Sequence, residues 1–415
     1  MSVETPVAGT ATSGAVTRRL RVAVLTRNFS PAAGGAERYA IAMVEHLAAR
    51  HDIKVFAQTI EHRWPNVAYQ KISAPATRPR WVNQLWFAGA TWWATRRGFD
   101  VVHSHENTWH GDVQTVHVLP VKHNLFKNRG GRTKFQQALS WAGVLTSPRL
   151  MVYLALERFR YAPKPGRRVV VTSQTLLGLF SKSFPAAMVF TSVVTPGIGL
   201  PATRASHQSQ SASRVLLGLP IDVPCVIFVG NDFRKKGLQT LIEAFSQLPK
   251  EVILAVVGGS NQIDLYRQQA VDAGLGSRVF FLGALLDTKP AYLSATCLVH
   301  PTREDTFAMV VLEAMAFGLP VVVSNATFCG VAAMLQHQEN ALLLSNPRDP
   351  VELVETIEAA LSGVVSKSGL GDRAREFAKN FDWSRLADQQ DAVYFDSVHA
   401  KSESSESSGS TGSSN

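Results

Sequence analysis

Two doubly wound α/β domains, each a parallel sheet covered by helices on both faces, are the fold this sequence predicts. Three observations carry that expectation. Short β-branched and apolar runs alternate with helical patterns, the alternation occurs twice, and a Pro/Gly/Ser-rich stretch separates the two rounds. At 415 residues the chain is long enough for two domains of ordinary size. A hydrophobic share of 46% and a charged share of 18% suit a globular chain with sizeable cores.

Residues 1–17 lack aromatic residues and an apolar signal-type run, and are expected to be disordered. LRVAVLT (20–26) opens the N-terminal domain (18–195) as a buried strand. The glycine loop NFSPAAGGAERY (28–39) then enters an amphipathic helix that ends near residue 50. DIKVFAQ (52–58), VVHSHE (101–106) and RVVVTS (168–173) are further strands. Between them WVNQLWFAGATWWATRR (81–97) carries Trp81, Trp86, Trp92 and Trp93 at helical spacing. Such aromatics are expected in the core, with contact to an acceptor or lipid as the sharper alternative.

The stretch TPGIGLPATRASHQSQSAS (195–213) has no hydrophobic periodicity and is expected to be a linker. The C-terminal domain (196–381) repeats the plan with VPCVIFVG (223–230), VILAVVGG (252–259), RVFFLG (278–283), TCLVHP (296–301) and PVVVSN (320–325). LQTLIEAFSQL (238–248) is one of its helices. A last helix, 382–398, follows the completed domain, with a return to the N-terminal domain as one option; the Ser-rich end, 399–415, is expected to be disordered. Sheets of this kind bind ligands beyond the carboxyl ends of their strands, so loops of both domains should meet at one cleft.

The net charge is +10, and it is uneven. Between Val113 and Leu156 there is no acid, but there are Lys122, Lys127, Arg129, Arg132, Lys134 and Arg149. Such a field attracts nucleic acid, anionic lipid or an anionic substrate, or is only a solvated basic face. No nucleic-acid motif accompanies it, so an anionic membrane surface or anionic acceptor is the preferred partner. Cys225, Cys297 and Cys329 are odd in number and lack metal-like spacing, which points to a reducing compartment. No apolar run is long enough to span a membrane.

The richest stretch for chemistry is VHPTREDTFAMVVLEAMAFGLPVVVSN (299–325). A strand ends at His300-Pro301, a loop carries Glu304 and Asp305, and a helix then places Glu313 on one face. Free N–H groups at a helix start favour an anion, and carboxylates grip hydroxyls, so a nucleotide sugar is the natural ligand. Asp305 or Glu304 can serve, and a capping acid beside a surface acid is the bland alternative. In GNDFRKKGLQTL (230–241), Lys235 and Lys236 can neutralise a departing diphosphate, or form an ordinary basic turn with Arg234 in solvent. Gly34 and Gly35 allow close backbone approach, although strand-to-helix turns need glycine anyway. The segment 101–118 holds His103, His105, His110 and His117 without H-E-x-x-H spacing or partnering cysteines, so one positioning histidine is preferred to a metal site.

Together GGAERY, VVTPGIGLP, VGNDFRKKG, VFFLG and HPTREDTFAMVVLEAMAFGLPVV resemble the retaining glycosyltransferases of family 4, over roughly residues 20–398. Within that family the chain is most similar to the lipopolysaccharide core glucosyltransferase I group. The resemblance implies a GT-B fold, two Rossmann-like domains with the active site between them. It implies hexose transfer with retention, with glucose from a UDP-sugar as the expected donor and a lipopolysaccharide core or other lipid-linked glycan as acceptor. An exopolysaccharide or soluble acceptor, or a weakened nucleotide-sugar-binding protein, is the alternative. It also implies a cytoplasmic protein, peripheral on the inner face of the membrane. Asp305 matches the first acid of the E-x7-E motif, on the donor sugar, and Glu313 the second, on the ribose. Lys236 matches the diphosphate lysine, with Lys235 in place of the usual arginine. Gly34 and Gly35 match the glycine loop, and His117 a histidine close to the sugar. Amides around Ala308, Met309 and Val310 would meet the sugar and phosphate. Asp for Glu at 305, Lys for Arg at 235 and Ala for Gly at 308 depart from the pattern. No D-x-D triplet occurs, so no metal cofactor is expected.

Overall fold

A computed structural model describes residues 18–31, 34–76, 78–126, 144–202, 206–362 and 369–410. The N-terminal strands are β1 (Arg21–Leu25), β2 (Asn28–Phe29), β3 (Asp52–Ala57), β4 (Thr59–Ile60), β5 (Ala68–Lys71), β6 (Val101–Ser104), β7 (Val113–Val116), β8 (Arg168–Val171) and β9 (Thr191–Val193). Seven form a parallel sheet in the order β5-β3-β1-β6-β7-β8-β9, and β2 pairs with β4 separately. The second sheet holds β10 (Cys225–Val229), β11 (Ile253–Val257), β12 (Val279–Gly283), β13 (Cys297–His300), β14 (Val321–Ser324) and β15 (Leu342–Leu344). It is parallel in the order β12-β11-β10-β13-β14-β15. The predicted fold class is therefore the observed one.

The strands are continuous apolar runs because both faces of each sheet are covered. In β1, Val22 and Val24 enter one core while Ala23 and Leu25 enter the core on the opposite face. In β10, Val226 and Phe228 likewise oppose Ile227 and Val229. Strand order reverses beside β1 and β10. A crevice therefore opens between β1 and β6 in one domain, and between β10 and β13 in the other.

Two expectations are corrected here. The supposed linker 195–213 contains the start of a helix, His207–Leu217, whose first turn is closed by a Ser206–Ser209 capping box. Serines that lack apolar periodicity serve here as caps. The Ser-rich end expected to be disordered from 399 is helical through Ser410, in a 28-residue helix starting at Trp383. Residues 411–415 and 1–17 lie outside the described residues. Lys401 anchors the extension, its Nζ donating to Asp100 O at 2.8 Å and facing Asp112 at 2.7 Å. The same helix packs Trp383, Leu386, Ala387, Val393 and Tyr394 into the N-terminal core. His51 adds a 2.7 Å contact to Asp391.

The tryptophan helix, Arg80–Thr95, corrects a third expectation. It buries Gln84, Phe87, Ala88, Thr91 and Thr95, one stripe at helical spacing. Trp86, Trp92 and Trp93 fall off that stripe and are exposed. The polar members of the stripe are satisfied locally: Gln84 donates to Asn107 O and Thr91 to Phe87 O. Arg96 lies 3.5 Å from the Trp93 ring centroid. Among the described residues no helix is long and apolar enough to cross a membrane.

Candidate active site

The loops after β10 and β13 meet at the C-terminal crevice, and Lys236 and Asp305 meet there. Gly237, which follows the lysine, has φ 80°, and a Cβ on it would fall 2.1 Å from Pro301 O. Only glycine lets the two loops touch so closely. Lys235 O accepts from Arg303 N at 2.7 Å, which ties the loops together through backbone. Lys236 Nζ then donates to Asp305 Oδ2, and His300 Nε2 lies 3.2 Å from the same oxygen. Asp305 Oδ1 accepts from the amides of Phe307 and Ala308 at 3.2 and 3.0 Å.

A carboxylate offers about four acceptor positions, and these four donors occupy them. Asp305 is thus committed to orienting Lys236 and capping the helix Met309–Ala316. It has no oxygen position spare for a sugar hydroxyl. Burial by itself would raise its pKa. The His300 hydrogen bond and the Lys236 charge more than reverse this and hold the carboxyl well below its ordinary value. Burial pushes His300 down, so its imidazole is neutral at pH 7 and donates from Nε2.

Glu304, the rival acid, is 52% exposed and faces Lys235 at 3.6 Å, away from this cluster. Ala308 sits in the left-handed region at φ 69°, where glycine would be unstrained. Its amide is taken by Asp305, whereas the amides of Met309 and Val310 have no backbone partner. Met309 packs against the cores of both domains. Glu313 Oε2 accepts from the Tyr292 hydroxyl at 2.5 Å, and its Oε1 lies 4.0 Å from Arg38 Nη1, across the cleft.

On the N-terminal side, Gly34 adopts φ 158° and ψ −172°, a region open essentially to glycine. Gly35 meets no such demand, since a Cβ there has nothing within 4 Å. His117 follows β7, and its Nε2 lies 2.9 Å from His105 Nδ1. His103 is bonded to Tyr394 and Thr115, each at 2.7 Å. His110 stands apart, against Trp109. Thr306, beside Asp305, donates to His117 O at 3.2 Å, and its own carbonyl accepts from Ser173 at 2.8 Å. These bonds bring His117 and the lysine–aspartate pair onto one cleft.

The residues missed from the sequence are Arg38, Tyr292, His300 and Thr306. Arg38, His300 and Thr306 stand inside quoted motifs. Tyr292 had no local signal.

Burial, aided by the charge of Arg160, pushes His117 down to about 3, and burial with His117 beside it pushes His103 to about 3. His105 is lowered in the same way. A histidine held neutral when folded, but titrating near 6.5 when unfolded, contributes stability that is complete above pH 6.5 and lost as pH falls towards 3. At pH 5 the fully buried His103 alone should account for about 2 kcal/mol of lost stability, with smaller shares from the partly exposed pair. Urea midpoints measured from pH 7.5 to 5 should fall accordingly, and His103→Gln should flatten the slope. A slope unchanged by that substitution would contradict the assignment.

Residues 33–198 match the family described as Glycosyltransferase Family 4, and residues 210–380 match Glycosyl transferases group 1. The chain is 29% identical over 226 residues to a D-inositol 3-phosphate glycosyltransferase of Corynebacterium efficiens, covering 51% of this chain and 52% of that protein. It is 26% identical over 243 residues to the lipopolysaccharide glucosyltransferase WaaG of Escherichia coli, covering 57% and 64% respectively. The chain spans about half the length of the first of the curated relatives it matches. The crystal structure of WaaG superposes with a TM-score of 0.75 at 22% identity, covering 89% of this chain and 98% of that one. Anabaena HepE in complex with UDP-glucose superposes at 0.68 and 19%, again covering 89% and 98%. At such identities these structures speak for the fold, which is GT-B. With a family 4 domain followed by a group 1 domain, the chain belongs to the glycosyltransferases.

Proposed function

We propose that this protein transfers a hexose, glucose from UDP-glucose, with retention of configuration, to a lipid-linked glycan such as a lipopolysaccharide core. The observation that carries the reading is the Lys236–Asp305–His300 cluster, beside two unpaired helix-start amides and across the cleft from His117. Lys236 has three N–H donors. One stays on Asp305 while the others meet the diphosphate, stabilising negative charge as the sugar departs. A fixed cation and a helix start supply what a metal ion would otherwise supply, so no metal is required. Glu313 exchanges Arg38 or Tyr292 for ribose hydroxyls. His117 is neutral and offers a hydrogen bond to the sugar, not a charge. In this reading the freed phosphate assists attack from the same face.

The exposed Trp86, Trp92 and Trp93, with Met151 and Phe159 on the helix Pro148–Arg160, support work at an anionic lipid surface on the inner face of the cytoplasmic membrane. Lys122 and Arg149 of the basic stretch are described, whereas Lys127, Arg129, Arg132 and Lys134 lie outside the described residues. The relatives named for D-inositol 3-phosphate favour a second reading, a soluble acceptor. Thermal unfolding with a panel of nucleotide sugars tests the donor. At 100 times its dissociation constant the true donor should stabilise by about 2.7 kcal/mol. No stabilisation by any nucleotide sugar would end the proposal.

A further inference from the structure

A second charged feature lies on the N-terminal domain and takes no part in donor binding. Arg78, Arg80 and Arg149 surround an open notch of about 610 Å³ whose remaining walls are Pro79 and Trp81. All three arginines are exposed. Among the described residues, none of the three makes a side-chain hydrogen bond or ion pair. Several other surface arginines of this domain are ion-paired: Arg18, Arg19 and Arg21 are matched by Asp100 or Asp52, and Arg50 by Asp388. Three guanidinium groups around one notch repel one another, so their convergence has a cost that an anion would remove.

The chain topology gives the notch its meaning. The helix Arg80–Thr95 begins on leaving the carboxyl end of β5, and the helix Pro148–Arg160 runs back towards the amino end of β8. Both therefore start at the carboxyl edge of the sheet, the edge that also carries the Gly34 loop and His117. The donor is held by the other domain. A notch on this edge faces the side of the cleft left to the acceptor. The planar forks of arginine match phosphate oxygens, and Trp81 offers an apolar wall for the body that carries them.

We propose that Arg78, Arg80 and Arg149 bind a phosphate-type anion on the acceptor, an inference that rests on the transferase reading above. A phosphorylated polyol and an anionic lipid headgroup share this chemistry.

The test compares wild type with the triple variant Arg78→Gln, Arg80→Gln, Arg149→Gln. A control of equal charge change, Lys250→Gln, Lys289→Gln, Arg348→Gln, alters exposed cations of the C-terminal domain. Three probes are used: D-inositol 3-phosphate against unphosphorylated inositol by calorimetry, vesicles of phosphatidylglycerol against phosphatidylcholine by flotation, and UDP-glucose by calorimetry. The arginine variant should lose about tenfold or more in affinity for one phosphate probe, while the control loses little. Loss confined to D-inositol 3-phosphate identifies a soluble acceptor, and loss confined to phosphatidylglycerol vesicles a lipid headgroup. Equal binding of both probes by wild type and the arginine variant overturns the proposal, as does an equal loss in the control. UDP-glucose reports separately. If wild type fails to bind it, the transferase reading falls, while the phosphate arms still decide the anion site.

Discussion

Replacing Lys236 with alanine is expected to reduce sugar transfer by about two to three orders of magnitude, the loss appearing mainly in kcat. The ammonium sits at the crevice between β10 and β13, held by a carboxylate whose other positions are all filled. A cation fixed in this way does not have to reorganise when charge develops on the leaving diphosphate. Its removal also leaves Asp305, 13% exposed, facing only His300 and two amides. Loss of one partner from a largely buried pair costs about 3 kcal/mol. Because Asp305 is depressed when folded, the stability it contributes is present above the unfolded pKa near 3.9 and is lost as pH falls below it. The destabilisation should therefore be seen at neutral pH and shrink in acid. Lys236→Arg keeps the charge but changes a compact donor into a planar fork, and should recover stability better than kcat. Wild-type turnover in Lys236→Ala would remove the lysine from the mechanism.

The second large effect is structural. Trp383→Ala should lower unfolding stability by about 3–5 kcal/mol, read as a shift in the urea midpoint. Trp383 is 7% exposed and stacks over Gly197, where a Cβ would come within 2.5 Å of the indole. It also meets Tyr39 edge-on at a centroid distance of 5.5 Å, and Tyr39 meets His117 in the same manner at 5.1 Å. The first residue of the last helix therefore supports the histidine on the N-terminal wall of the cleft. Transfer should fall in this variant even at temperatures where it remains folded. Trp383→Phe, which keeps an aromatic ring in the site, should restore most of both properties. An unchanged midpoint in Trp383→Ala would show that the helix is held by its other contacts alone.

Much of the fold was legible because central strands are buried on both faces. Runs such as VIFV and VVVS had no other reading among turn residues. Apart from β15, a three-residue apolar run, and the two-residue β2 and β4, the strands that escaped notice have another character. β5 is AYQK and half exposed, β9 is three residues long, and β7, VQTV, has two polar residues at its centre inside a histidine-rich stretch. Edge strands and polar central strands lack the apolar run that marks a buried strand. The tryptophan helix misled for a related reason. Composition says how much apolar surface a helix has, but only its phase against the sheet says which side is buried. There the stripe through Phe87 and Ala88 won, and the indoles were left outside.

The sequence by itself determined the class of the fold, the positions of the loops at the strand ends and the types of residue brought to the cleft. These follow from local pattern, since burial, glycine and helix starts are written within a few neighbouring residues. Tertiary structure alone decided which acid meets which base. Lys236 and Asp305 are 69 residues apart in the chain and touch because β10 pairs directly with β13. That pairing brought Lys236 to the one oxygen position of Asp305 that His300, Phe307 and Ala308 leave open, while helix packing brought Tyr292, and the meeting of the two domains brought Arg38, to Glu313. Lys236, Tyr292 and Arg38 are neighbours only in space, and no spacing along the chain records them.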